Sequence, residues 1–311
     1  MTTPKVHDII TIGSGPTALA AALYTAREDL ETLCFEKGVV GGLAAITYKV
    51  DNYPGFPDGI EGLTLAENLQ KQAERFGAVI EYGEVHSVAK QADGNFKLDT
   101  TSGDMLARSV LVATGSEWVK LGVPGEKEYY ARGVHNCATC DGAFYRDKRL
   151  VVVGSGNSAA QEALFLTRFA NHIDILIRGD AWKASEVLIH DVDANKKLHV
   201  HFNVSTEEIV GENGKVTKVI GKDKTTGELK DFITDGVFVF VGLRPVTYFL
   251  KDTAVEFDAA GFIKTDLKLQ TKVEGLFAAG DVRSGATMQI ASAVGEGATA
   301  ALTIREYLEK K

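Results

Sequence analysis

Ile9-Ile10-Thr11-Ile12-Gly13-Ser14-Gly15-Pro16-Thr17-Ala18 and Leu150-Val151-Val152-Val153-Gly154-Ser155-Gly156-Asn157-Ser158-Ala159 decide the fold of this chain. Each stretch is an apolar strand, a Gly-x-Gly turn and the start of an Ala-rich helix, Leu19 to Ala26 in the first copy and Ala160 to Phe169 in the second. The first glycine allows the tight turn, and the second lets backbone approach a pyrophosphate. The small residue that follows lets helix pack on strand, and the helix N-terminus offers free N–H groups to phosphate. Such a string alone also describes a tight βα turn with no ligand, so the strand-turn-helix context carries the reading. It predicts an α/β chain with two Rossmann-like three-layer dinucleotide-binding domains.

The residues after each copy add detail. Thr32-Leu33-Cys34-Phe35 reads as a second strand ending in Glu36, where a carboxylate can accept from ribose hydroxyls. After the second copy, Ile173 to Ile177 ends instead in Arg178, a cation suited to a ribose 2′-phosphate or else a solvated strand-end charge. Val110 to Gly115 and Gly275 to Asp281 are further apolar strands breaking at glycine, the latter delivering Asp281 to a sheet edge. The second glycine turn lies between these two, so the second domain reads as inserted into the first. The expected division is 1–117 with 247–311, and 118–246. The crossings fall near Ser116 to Lys120 and Gly242 to Thr247, punctuated by Gly122, Pro124, Gly242 and Pro245. Asp51 to Gly59 is a Pro/Gly-rich loop expected to wrap a ligand. Val216 to Phe240, broken at Thr225-Thr226-Gly227-Glu228, reads as antiparallel strands with a hairpin turn.

The chain has 311 residues, room for two domains, and a formal net charge of −8 that argues against affinity for nucleic acid or acidic membranes. No run of eighteen apolar residues suggests a membrane span. Met1 to Lys5 lacks an apolar signal core, so a cytoplasmic location is expected.

Three cysteines are too few for a secreted disulfide framework. Cys137-Ala138-Thr139-Cys140 therefore reads as a redox-active dithiol, with its first thiol made reactive if it sits at a helix N-terminus. Asp141 follows directly, placed to exchange a proton with a departing thiol. The alternative is half a zinc site, but no suitably spaced second pair of ligands is present and no metal is expected. Cys34 reads as an ordinary buried strand residue, and His135 as a polar loop histidine, with a proton relay as the other reading.

With two glycine turns, one domain nested in the other, and Cys-Ala-Thr-Cys-Asp just before the second turn, the chain resembles the low-molecular-weight thioredoxin reductases. The resemblance runs from Val6 to about Leu308. It includes Gly41-Gly42, Asn52-Tyr53-Pro54-Gly55, Ala113-Thr114-Gly115, Thr234 to Phe238 and Ala278-Ala279-Gly280-Asp281. It implies FAD on the first domain, a nicotinamide nucleotide on the second, a homodimer, and thioredoxin or a thioredoxin-like protein as partner. Carried over by motif, Gly13, Ser14, Gly15, Pro16, Thr17, Glu36, Lys37, Gly41, Gly42, Asn52, Val85, Ala113, Gly115, Gly280, Asp281, Gln289 and Ile290 would line FAD. Gly154, Gly156, Asn157, Ser158, Arg178 and Lys183 would meet NAD(P)H. Cys137 and Cys140 would be the redox pair and Asp141 the acid. Hydride would pass to the flavin, the reduced flavin would open the disulfide, and the inserted domain would swing to present the dithiol.

The departures cluster on the nucleotide side. Where the family usually carries His-Arg-Arg and a further Arg, this chain has Ile177-Arg178-Gly179 and Lys183. Asn157 stands where the family usually has Asp; two further changes lie on the flavin side, Leu43 where the family has Gln after the glycine pair, and Met288 and Ile290 where it has Arg and Ala around the glutamine. This pattern fits a branch with weakened NADPH use, which leaves NADPH, NADH, another flavin or ferredoxin as donor. The competing function classes are a flavin disulfide reductase fed by a protein donor and a flavin-bearing redox sensor. Ferredoxin–NADP reductases share the architecture but have no need of Cys137 and Cys140.

Overall fold

The computed structural model describes residues 5–47, 50 and 52–311. The expectations at Met1 to Pro4 and at Asp51 lie outside the described residues. The chain falls into two compact units, Met1–Glu117 with Arg244–Lys311, and Trp118–Leu243.

The first unit opens with β1 (Val6–Ile12), α1 (Pro16–Arg27), β2 (Thr32–Glu36), α2 (Gly42–Ala45), α3 (Gly62–Glu74) and β3 (Val79–Tyr82). A meander of β4 (Val85–Lys90), β5 (Phe96–Thr100) and β6 (Gly103–Val112) follows. β1 lies parallel between β2 and β6, and β3 extends the sheet beyond β2. β4, β5 and β6 pair antiparallel. The period of two along β1 explains its two-sided burial. Ile10 and Ile12 join a core with Phe35, Phe96, Leu98 and Val112 on one face, while Ile9 packs on the other with Ala18, Ala21 and Leu111. Each large aliphatic side chain so buried contributes about 1.5–3 kcal/mol. Val110 to Gly115 is thus the end of a longer strand, with Ala113 to Gly115 forming the turn beyond it.

β7 (Ser116–Trp118) leads into the second unit. There the chain runs β8 (Val134–His135), α4 (Ala138–Asp141), a 3-10 turn at Gly142–Tyr145, β9 (Arg149–Val153), α5 (Asn157–Leu166), β10 (His172–Leu176), α6 (Glu186–Asp193) and β11 (Leu198–His201). β12 (Val204–Glu212), β13 (Lys215–Asp223), β14 (Leu229–Ile233) and β15 (Gly236–Val239) complete it. The main sheet is parallel, in the order β11-β10-β9-β15-β8.

The expected hairpin forms between β13 and β14, where Asp223 Oδ1 accepts from the N–H groups of Thr225 and Thr226. The same expectation fails for the end of that stretch. β15 leaves the antiparallel ribbon and enters the parallel sheet, because Gly236, Val237, Phe238 and Val239 are buried on both faces, the pattern of a central parallel strand.

β16 (Leu243–Pro245) pairs with β7 as a two-stranded ribbon. The first unit then resumes with a 3-10 turn at Tyr248–Leu250, β17 (Leu276–Ala278), parallel to β6, and the closing helix α7 (Ile290–Leu308). α7 crosses α1 closely: a Cβ on Gly297 would lie 2.2 Å from the Thr17 carbonyl oxygen. No helix among the described residues is long and apolar enough to cross a membrane.

Candidate redox site and dinucleotide turns

In the first unit, β1 ends in a turn that only glycine can make. Gly13 has φ 98°, and a Cβ there would stand 2.6 Å from the Ala113 carbonyl oxygen. Gly15 caps α1 in extended geometry, Pro16 takes the first helical position, and nothing lies within 4 Å of where a Gly15 Cβ would point. Gly41 N–H donates to the Ser14 carbonyl at 2.8 Å, and a Cβ on Gly42 would stand 3.6 Å from Gly15 Cα. These glycines leave a cradle beside the N-terminus of α1 that side chains would fill.

Glu36 ends β2, where Oε2 accepts from both the N–H and hydroxyl of Ser14 at 2.9 Å and Oε1 accepts from Gly38 N–H at 2.6 Å. It lines a cleft with Gly13, Phe35, Lys37, Thr114 and Tyr248, and Val85 forms part of its wall. Lys37 Nζ donates to the Tyr248 hydroxyl at 3.3 Å, and that hydroxyl donates to Glu84 at 2.5 Å. Tyr248 and Glu84 belong to no motif, so nothing local in the sequence marks them.

Asn52 Nδ2 donates to Gln289 Oε1 at 3.0 Å, and Gln289 caps α7 ahead of Ile290. Thr17 crowds Gly280, where a Cβ would lie 2.2 Å from the threonine hydroxyl. Gly280 N–H donates to Glu296 at 2.7 Å, and Arg283 forks onto the same carboxylate at 2.5 and 2.6 Å. Gly115 carries φ 66° and accepts from Val246 N–H at 3.2 Å. The Asp281 carbonyl accepts from Ser116, while its carboxyl has no hydrogen-bond partner among the described residues. Burial, and next the Glu296 carboxylate, push Asp281 up to about 6. A half-buried acceptor with no donor, beside an open glycine cradle, is what a hydroxyl-rich dinucleotide would complete. The residues present fit FAD.

The second unit repeats the turn. Gly154 has φ 152°, with a Cβ position 2.4 Å from the Phe240 carbonyl oxygen, and Gly156 caps α5 with open space before it. Asn157 Oδ1 accepts from Ser185 N–H at 2.8 Å, and Lys183 N–H donates to the Ser155 carbonyl at 2.8 Å, which draws residue 183 onto the glycine turn. Ser158, Arg178 and Lys183 are exposed, and neither cation pairs with a carboxylate among the described residues.

Cys137 and Cys140 form a disulfide with Cα atoms 5.3 Å apart. Cys137 caps the single turn of α4 in extended geometry, and Cys140 N–H points at Cys137 Sγ at 3.2 Å. Ala138 anchors that turn, fully buried beside Leu150, Ala159 and Phe238, so the cysteines sit on a fixed base while both remain partly accessible. Asp141 ends the turn, its N–H donating to the Cys137 carbonyl at 3.1 Å. Cys34 is fully buried on β2 with its thiol pushed up to about 12 by desolvation, and so is inert.

His135 corrects the sequence reading. It is no loop residue but the end of β8, 8% exposed, paired in register with Phe238 and stacked on that ring at 5.1 Å. Its Nδ1 lies 3.1 Å from Asp141 Oδ2, and its Nε2 lies 2.6 Å from the Tyr145 hydroxyl. A two-residue strand leaves no periodicity to read, which is why the sequence hid it. Among the described residues no cluster of His, Cys, Asp or Glu is arranged to hold a metal.

Residues 7–297 match the family model described as pyridine nucleotide-disulphide oxidoreductase. A thioredoxin reductase of Bacillus subtilis is 42% identical over 312 residues, covering 100% of this chain and 97% of that protein. The crystal structure of thioredoxin reductase from Streptococcus pyogenes superposes with a TM-score of 0.92 at 39% identity, covering 99% of this chain and 100% of its own. That of Giardia duodenalis superposes at 0.90 with 34% identity, covering 98% and 99%.

Proposed function

The chain belongs to the pyridine nucleotide-disulphide oxidoreductase family, and on that footing we propose that it is a thioredoxin reductase working through Cys137 and Cys140. One observation carries the reading. The two cysteines are already bonded across a one-turn helix, partly accessible and followed directly by Asp141, in a chain that aligns end to end with thioredoxin reductases.

FAD, when bound, supplies a two-electron carrier between a reduced nicotinamide and the disulfide. Gly13, Gly15 and Gly42 leave room for its pyrophosphate beside α1. Glu36 and Asp281 would accept from its hydroxyls, and the linked Asn52 and Gln289 would offer it further polar contacts. In the second unit Gly154 and Gly156 admit the nucleotide, with Arg178 and Lys183 as the cations offered to its 2′-phosphate.

The chain's own chemistry is disulfide exchange. A Cys137 or Cys140 thiolate attacks one sulfur of the partner's disulfide, and the leaving sulfur takes up a proton. The second cysteine then attacks the mixed disulfide, restores the 137–140 bond and releases a dithiol partner. The two protons lost here end on the partner's two sulfurs, so the exchange balances. Asp141, on the same turn, is the group placed to hold the proton in transit. Thioredoxin or a thioredoxin-like protein is the partner, and the active form is a homodimer.

The donor is NADPH, on a grip reduced to Arg178 and Lys183. Anaerobic titration of the purified flavoprotein tests this. NADPH should bleach the flavin at a lower concentration than NADH; bleaching by neither, with bleaching by reduced ferredoxin, would overturn the donor assignment in favour of a protein donor.

A further inference from the structure

Resting on the reductase reading, we propose that His135 is the positioning residue for the dithiol's proton-handling group, holding Asp141 through Nδ1 while Tyr145 holds its Nε2.

With a neutral ring beside an ionised carboxylate, the geometry allows one consistent arrangement of hydrogens. An imidazole between a carboxylate and a phenol satisfies both partners when Nδ1–H donates to Asp141 Oδ2 at 3.1 Å and Nε2 accepts from the Tyr145 hydroxyl at 2.6 Å. The phenol keeps its proton, because burial, with Asp141 and Asp235 nearby, holds it well above the usual tyrosine range. With that proton in place Tyr145 can donate to Nε2 of the neutral ring, which matches the tautomer that points Nδ1–H at Asp141.

Packing fixes the ring as well. His135 stacks on Phe238 at 5.1 Å and meets Tyr145 edge-on at 5.4 Å, and Tyr145 meets Phe238 edge-on at 5.6 Å. Neighbouring Asn136 Nδ2 donates to the Val239 carbonyl at 2.9 Å and pins the strand. The titratable groups on the ring are Asp141 from the one-turn helix and Tyr145 from the 3-10 turn; beyond them, Tyr130 from the preceding loop feels Asp141, and Asp235 from the turn before β15 lies near Tyr145.

A carboxyl at the end of a single helical turn would otherwise swing freely. Clamped by a buried ring, it keeps one oxygen occupied by His135 and one free for proton exchange. This is the logic by which an orienting hydrogen bond serves an acid–base group without touching the reacting atoms.

The test compares His135→Phe, His135→Asn and Tyr145→Phe in the flavin-bound protein, with melting temperature and flavin spectrum recorded first. The readouts are the pH–rate profile of thioredoxin reduction and the pH dependence of iodoacetamide alkylation of the reduced dithiol. General acid–base groups contribute about 10²–10⁴-fold, and loss of the positioning partner should remove about tenfold or more of that. His135→Phe should show this loss and depart from the wild-type pH–rate profile. His135→Asn, whose amide can donate from near the Nδ1 position, should recover the rate to within about threefold with the wild-type profile. Tyr145→Phe should fall between them. Should His135→Phe keep both wild-type profiles while turnover still requires Cys137 and Cys140, the positioning role is overturned and the reductase reading stands. If His135→Asn is as slow as His135→Phe, positioning through Nδ1 is overturned. Turnover that survives loss of both cysteines overturns the reductase reading, and this assignment with it.

Discussion

Asp281→Asn should act in opposite directions on the apoprotein and on FAD binding. The carboxyl lies half-buried with no hydrogen-bond partner among the described residues, and desolvation followed by Glu296 raises it from 3.8 to about 6. That gap corresponds to about 3 kcal/mol between its two protonation states. A carboxyl raised in the folded state favours folding when protonated. Its contribution is complete below the unfolded value and is lost as pH rises through the folded one. Flavin-free wild type should therefore lose about 1.4 kcal/mol from this group between pH 5 and pH 8, with the remainder appearing only below pH 5. Asp281→Asn should lack that increment and be more stable than wild type at pH 8. Its affinity for FAD should fall about tenfold, because a charge-assisted hydrogen bond worth about 1.5–3 kcal/mol becomes a neutral one worth about 0.5–1.5 kcal/mol. Urea denaturation of the flavin-free proteins at both pH values, with fluorescence titration by FAD, measures both arms. A variant that keeps the pH increment and binds FAD as tightly as wild type would refute the placement of Asp281 in the flavin site.

Gly13→Ala should lose FAD and about 2–4 kcal/mol of stability, because its Cβ would stand 2.6 Å from the Ala113 carbonyl oxygen at φ 98°. Flavin content and melting temperature after purification report both effects. Arg178→Ala and Lys183→Ala should each raise the KM for NADPH about tenfold and leave that for NADH within about twofold, since only the former carries a 2′-phosphate. Steady-state kinetics with the two nucleotides distinguishes this from a general loss of the fold.

The fold was legible because its deciding feature is local. An apolar strand, a glycine turn and a small-residue helix start are contiguous in sequence, and the structure places Gly13 and Gly154 where any Cβ would collide with backbone. The disulfide was legible for the same reason, the two cysteines being only three residues apart. What stayed hidden is made by long-range pairing. His135 becomes a buried strand residue only because β15 arrives a hundred residues later to carry Phe238 beside it. The Lys37–Tyr248–Glu84 link joins three segments that share no motif. β15 falls inside the stretch that reads as antiparallel, because a four-residue apolar run carries no information on the direction of its neighbours.

The most direct test of the central claim is thioredoxin reduction by wild type and by the double variant Cys137→Ser, Cys140→Ser, under anaerobic conditions with flavin content matched. Sustained turnover by wild type, and none by a double variant whose flavin spectrum is intact and still bleaches with the donor, is the predicted result. A double variant that still reduces thioredoxin would contradict the account.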